Sequence, residues 1–132
     1  MNYRINTISH GLQKYPTCGD YGNDKKGTWV SVSNLNNETW ELAIALHELM
    51  EKHLCELSGI TMKQIDDFDI AYENQRKKTP KGVAPCGCPI QDEPGMDIHA
   101  PYHEQHVFAA GLEKQFIGEA AWIVYDKKVN EL

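Results

Sequence analysis

Apolar and polar positions along the chain fall into four stretches. Residues 1–36 carry turn chemistry at Tyr15-Pro16-Thr17 and Gly19-Asp20, and again at Asn23-Asp24-Lys25-Lys26-Gly27. Glycine, asparagine and aspartate there suit a loop that joins two hairpin strands. Thr28 to Ser33 then alternates residue type and includes β-branched members, as a half-buried strand does. Residues 37–76 read as two helices. The first runs from about Glu38, with Asn36 or Asn37 as N-cap, to Ser58, where Gly59 stops it. Thr61-x-x-Gln64 is a capping box that opens the second, which runs to about Arg76. Residues 77–100 gather Pro80, Pro85, Pro89 and Pro94 with Gly82, Gly87 and Gly95, and predict a long irregular loop of the kind small domains keep for function. Pro101 suits the first turn of a third helix to about Ile117, with Gly118 ending or bending it. The tail, with Ala120, Trp122, Ile123 and Val124, is expected as a short helix or a packed segment. The predicted class is α+β: an N-terminal hairpin or small sheet, then a three-helix cluster, in a single domain over residues 1–132.

Placed on wheels at about 100° per residue, the helices show an anomaly. In the first, Trp40, Ala43, Ile44, Met50, Leu54 and Leu57 share a side, and His47 and Glu51 lie at its centre, one turn apart. Glu48 falls at the edge; Glu41, Lys52 and Glu56 fall on the opposite, solvated side. In the third, His106 and Glu113 interrupt a stripe of Tyr102, Ala109, Phe116, Ile117 and Ala120, with His103 at its flank. In the second, Asp69 lies among Ile65, Phe68 and Tyr72. An ionised carboxylate buried without a partner costs several kcal/mol, so such groups pair or bind metal. A shared divalent cation satisfies all of them. Zinc is the expected ion, since neutral imidazole and carboxylate are its usual oxygen and nitrogen ligands. The expected ligands are His47, Glu51 and His106, with His103, Glu113 and Asp69 as further members. A metal-free buried network, including a simple intrahelical His47–Glu51 bond, remains the alternative.

Composition narrows the partners. The net charge is -6, with 19 acidic side chains against 13 basic, which disfavours nucleic acid and anionic membranes. No stretch approaches the ~20 apolar residues of a membrane span. Met1 to Leu12 has no continuous apolar block, so no secretory leader is expected and the cytoplasm is the expected compartment. Free thiols then follow for Cys18, Cys55, Cys86 and Cys88. The Cys86-Gly87-Cys88 pair would need Cys18 and Cys55 to close a four-ligand zinc site, and a plain loop is the favoured reading.

His47-Glu48-Leu49-Met50-Glu51 has the form HExxE and resembles the zincin motif HExxH with its second histidine replaced. The resemblance implies His47 and Glu51 as zinc ligands and Glu48 as general base, or Glu113 if Glu48 points outward. It also implies a strand, here Thr28–Ser33, lying above the motif helix as a sheet edge. More of the chain resembles a family of small uncharacterised proteins encoded by phages and prophages. The residues that carry this are Tyr15-Pro16-Thr17, Val30-Ser31-Val32-Ser33, Ala45 to Glu51, Phe68-Asp69, Glu93-Pro94-Gly95 and Ala100 to His106. That likeness implies a phage-associated protein in the host cytoplasm, and Cys86-Gly87-Cys88 departs from its pattern. Two functions are therefore expected: a metal-dependent hydrolase acting on a peptide or small molecule, or a non-catalytic protein that binds a host or phage protein.

Overall fold

The computed structural model describes residues 1–15, 17–78 and 91–132. Its elements are three strands, β1 (Tyr3–Ile8), β2 (Gly19–Asp24) and β3 (Gly27–Ser33), followed by three helices, α1 (Glu38–Leu57), α2 (Met62–Lys78) and α3 (His103–Asn130). The class is α+β, as the residue pattern predicts. Cys86 and Cys88 lie outside the described residues, as does half of the stretch expected to be irregular, residues 79–90. Of that stretch, Lys77 and Lys78 close α2, and Pro94–Met96 forms a turn of 3-10 helix.

The chain divides into two compact units, Met1–Lys52 with Ala109–Leu132, and His53–Phe108. Each cut falls inside a continuous helix, α1 or α3.

In the first unit the strand order is β1-β3-β2. β2 and β3 form the expected hairpin, turning over Lys25 and Lys26. Gly27 follows at φ +117°, a conformation that costs any residue with a Cβ. β1 pairs with β3 in parallel, Tyr3 opposite Thr28 through Ile8 opposite Ser33. The strand Thr28–Ser33 is therefore central, not the edge that the zincin likeness implies, because the N-terminal segment occupies its other side. Val30 and Val32, both essentially inaccessible, supply the buried face with Tyr21.

The helix α1 starts where Asn37 Oδ1 accepts from the Trp40 amide at 3.0 Å. Asn36 instead takes a left-handed φ of +54°, which asparagine tolerates. At the other end Gly59 (φ +73°) and Ile60 donate to the Glu56 and Cys55 carbonyls, satisfying two orphaned acceptors of the last turn. α1 is buried on more than one stripe. Ile44 and Glu48 lie against Gly19 of β2, and the Lys52 ammonium sits 5.7 Å from the centre of the Tyr3 ring on β1. Lys52 is buried, and Trp40 and Leu57, expected inside, are exposed. A helix flanked by a sheet and by other chain has more than one buried sector, which a single-stripe wheel misplaces.

α3 runs unbroken through Gly111 and Gly118 to Asn130, with no break at Gly118. Trp122, Ile123, Val124, Tyr125 and Val129 near its C-terminus are exposed, where a packed tail was one expectation. Nothing in residues 119–130 contradicts helix geometry, and glycine within a helix carries only a modest cost.

In the second unit the capping box forms as expected. The Thr61 amide donates to Gln64 Oε1 at 2.8 Å, and the Gln64 amide donates to Thr61 Oγ1 at 3.2 Å. Ile65 and Tyr72 are the buried side chains of α2. The Tyr72 hydroxyl accepts from the Gln91 amide, and Arg76 donates to the Gln91 and Asp92 carbonyls. These bonds tie the segment that leads to Pro94–Met96 onto α2.

Candidate metal centre

Each helix carries its functional side chains on a buried sector. On α1, His47 and Glu51 are one turn apart and nearly inaccessible, and the Nε2 of His47 lies 3.4 Å from Glu51 Oε1. The opposite ring nitrogen, Nδ1, lies 3.0 Å from Glu113 Oε1 of α3. A carboxylate thus stands at both edges of one buried imidazole. Burial opposes protonation of His47, but the bonds to Glu113 and Glu51, with the nearby charge of Glu48, overcome it and push its pKa up from 6.5 to about 10. The carboxylates around His47 thus favour its protonated form.

On α3, His106 is buried and its Nε2 lies 3.0 Å from Glu93 Oε2. The ring is set in place on two sides. Tyr102, one turn earlier, meets it edge-on at 6.2 Å between centroids. Gly95 packs against the other edge so closely that a Cβ there would stand 2.5 Å from Cγ and 2.7 Å from Nδ1.

Among the described residues, His47, Glu51 and His106 form a buried group in which one ligand atom from each lies within 4.8 Å of the others. This group can hold a metal ion. Its chemistry suits one: two imidazoles and a carboxylate are a common donor set for zinc. The 3.4 Å between His47 Nε2 and Glu51 Oε1 is close to the edge of a tetrahedron with bonds of ~2.0–2.2 Å, which is about 3.3 Å. Glu113 on Nδ1 supplies the carboxylate that metal-bound histidines usually carry on the nitrogen away from the metal.

The other expected site residues have different partners. Asp69 accepts from the Tyr102 hydroxyl at 2.5 Å. His103 Nδ1 lies 2.9 Å from the Gly95 carbonyl oxygen. Glu113, expected as a further member of the cluster, partners His47; it shares an α3 face with His106 but stands two turns, about 10 Å, from it along the axis. Glu48 is half-buried with its carboxylate against Gly19. Glu93 was not singled out as a ligand. It sits in a turn without periodicity, so no wheel could place it beside His106.

No family model, curated protein or solved structure matches this chain. The site therefore stands on its own geometry. No helix of the described residues is long and apolar enough to cross a membrane.

Proposed function

We propose that the protein binds one divalent transition metal, zinc by preference, through His47, Glu51 and His106, and acts as a metal-dependent hydrolase of the zincin-like kind. The observation that carries the reading is the approach of these three buried ligand atoms to within 4.8 Å of one another. The metal would supply Lewis acidity. Glu113 would hold the His47 ring in register, and Glu48, next to His47 in the HExxE motif, would be the proton acceptor. A peptide or small molecule is the substrate class most compatible with an acidic chain, and the phage-like sequence pattern favours work in a host cytoplasm.

Metal analysis of protein purified without chelator tests this. About one zinc per chain is expected, with a rise in melting temperature on zinc addition, because a ligand bound only to the native state adds ~2.7 kcal/mol of stability at a hundredfold excess over Kd. Protein without metal, and with no thermal response to zinc, manganese or iron, would reject the reading.

One observation favours a second reading. Both imidazoles already have carboxylate partners, His47 with Glu51 and Glu113 and His106 with Glu93. A buried network of this kind fixes helices without a metal, and the protein would then act by binding a host or phage protein. The same metal analysis separates the two.

A further inference from the structure

We propose that the outer face of α3, with Trp122, Tyr125 and Val129, docks a second copy of this chain, the two helices packing side by side in parallel.

Within the first unit, α3 turns one side inward. Ala109 is fully buried, Glu113 meets His47, and Ala120 is half-buried. At about 100° per residue these three lie in one narrow sector, which Ile123 and Val124 straddle further along. Trp122, Tyr125 and Val129 fall on the opposite side, where a helix packed on one face carries polar residues. They are 60%, 58% and 44% exposed. Their spacing of three and four residues is that of a seam between paired helices. The Trp122 and Tyr125 rings stack, with centroids 5.5 Å apart, and present one continuous apolar surface. Every residue from Ala121 to Leu132 is exposed. Trp122-Ile123-Val124-Tyr125 is a run of weaker helix formers than alanine or leucine, and helices in water draw most of their stability from packing an apolar face. This stretch of α3 needs a surface to lie against.

Charge identifies that surface. Glu119 and Asp126 edge the seam on one side, Lys114 and Lys128 on the other. A face with one acidic and one basic margin is complementary to itself when two copies lie parallel, because the acidic margin of each adjoins the basic margin of the other. Lys114 of one copy then stands opposite Glu119 of the second, and the two-fold axis repeats the pair. Antiparallel packing would set acid against acid and base against base. The three apolar side chains offer roughly 300 Å² per copy, taking 150–250 Å² for a buried aromatic. That is well short of the ~800 Å² per partner of a standard interface. The dimer is therefore reversible, with a dissociation constant in the micromolar range.

Sedimentation equilibrium of the full-length protein tests this, under reducing conditions that keep the exposed Cys18 from linking copies. The wild type should be monomeric at low micromolar concentration and dimeric at several hundred micromolar. Trp122→Glu should weaken association roughly a hundredfold, as loss of a central tryptophan does at an interface. Ile123→Glu, one residue away but off the seam, should leave it unchanged. Lys114→Glu should weaken it severalfold, and Lys114→Glu with Glu119→Lys should restore it, since the exchanged margins are complementary again. All four positions are exposed, so none of these variants should unfold the chain, which circular dichroism checks. A wild type that stays monomeric throughout would overturn the proposal and leave the face to a partner of another kind. Ile123→Glu as damaging as Trp122→Glu, or Lys114→Glu that strengthens association, would overturn the parallel seam.

Discussion

Glu113 Oε1 stands 3.0 Å from Nδ1 of His47, on the ring edge opposite the one that faces Glu51. Nε2, on the other edge, lies 3.4 Å from Glu51 Oε1. Were a metal bound at Nε2, Nδ1 would be the protonated nitrogen, and Glu113 the nearest carboxylate to accept from it and raise the basicity of the donor. Glu113→Gln keeps the shape and removes the charge. It should weaken zinc binding roughly 10- to 100-fold while the stoichiometry is unchanged. Competition with a chromophoric chelator measures this, and equal affinities would show that Glu113 does not act through His47.

The same pair sets a pH dependence in metal-free protein. His47 titrates near 6.5 when unperturbed and at about 10 in the fold. A raised folded pKa means that the proton stabilises the native state. That stabilisation is complete below 6.5 and is lost as pH rises through the window to about 10. Chelator-treated wild type should therefore lose melting temperature between pH 7 and 10, and His47→Gln should lose much less. Parallel curves for the two proteins would contradict the assignment.

Gly95 offers a separate handle on His106. A methyl group at position 95 would stand 2.5 Å from the ring, closer than any side chain tolerates, so the ring or the turn must move. Gly95→Ala should cost about 1–3 kcal/mol, the usual range for overpacking, and should weaken metal binding as well. Gly11→Ala is the control, since nothing lies within 4 Å of a Cβ there. Equal urea midpoints for the two variants would refute the tight fit.

Two glycines inside α3 predict the opposite sign. Gly111 and Gly118 are helical, and a Cβ at either would meet nothing within 4 Å. Alanine at each should stabilise the protein by roughly 0.5–1 kcal/mol, by removing backbone freedom from the unfolded chain. Denaturant melts that show destabilisation at Gly118 would mean that α3 does bend there in solution.

The parts of the fold that were legible in the residues are those decided locally. The Thr61–Gln64 box, the Asn37 cap, the Gly59 stop and the hairpin around Lys25 and Lys26 each depend on a few neighbouring residues, and each forms. What needed the structure was decided at a distance. Tyr3 to Ile8 gives no sign of its parallel partner, and without it Thr28–Ser33 reads as an edge. Lys52 looks solvated until the Tyr3 ring is placed over it. At the site, His47, Glu51 and His106 were visible as polar breaks in apolar stripes. Glu93 lies in a turn, where no stripe exists to be broken, and Asp69 broke a stripe only to meet the hydroxyl of Tyr102.

The parallel pairing of β1 with β3 also orders events in time. The β2–β3 hairpin closes across two residues and can zip from its turn within microseconds. β1 has no such shortcut: Ile8 and Ser33 come together only after the intervening chain has looped back, and that loop carries an entropic cost before any bond rewards it. β1, made before the hairpin, is thus the last of the three strands to join the sheet, and the outer flank of β3 stays bare until it does. In hydrogen exchange, the amides that join β1 to β3 should open without those of the hairpin, as the least protected seam of the sheet.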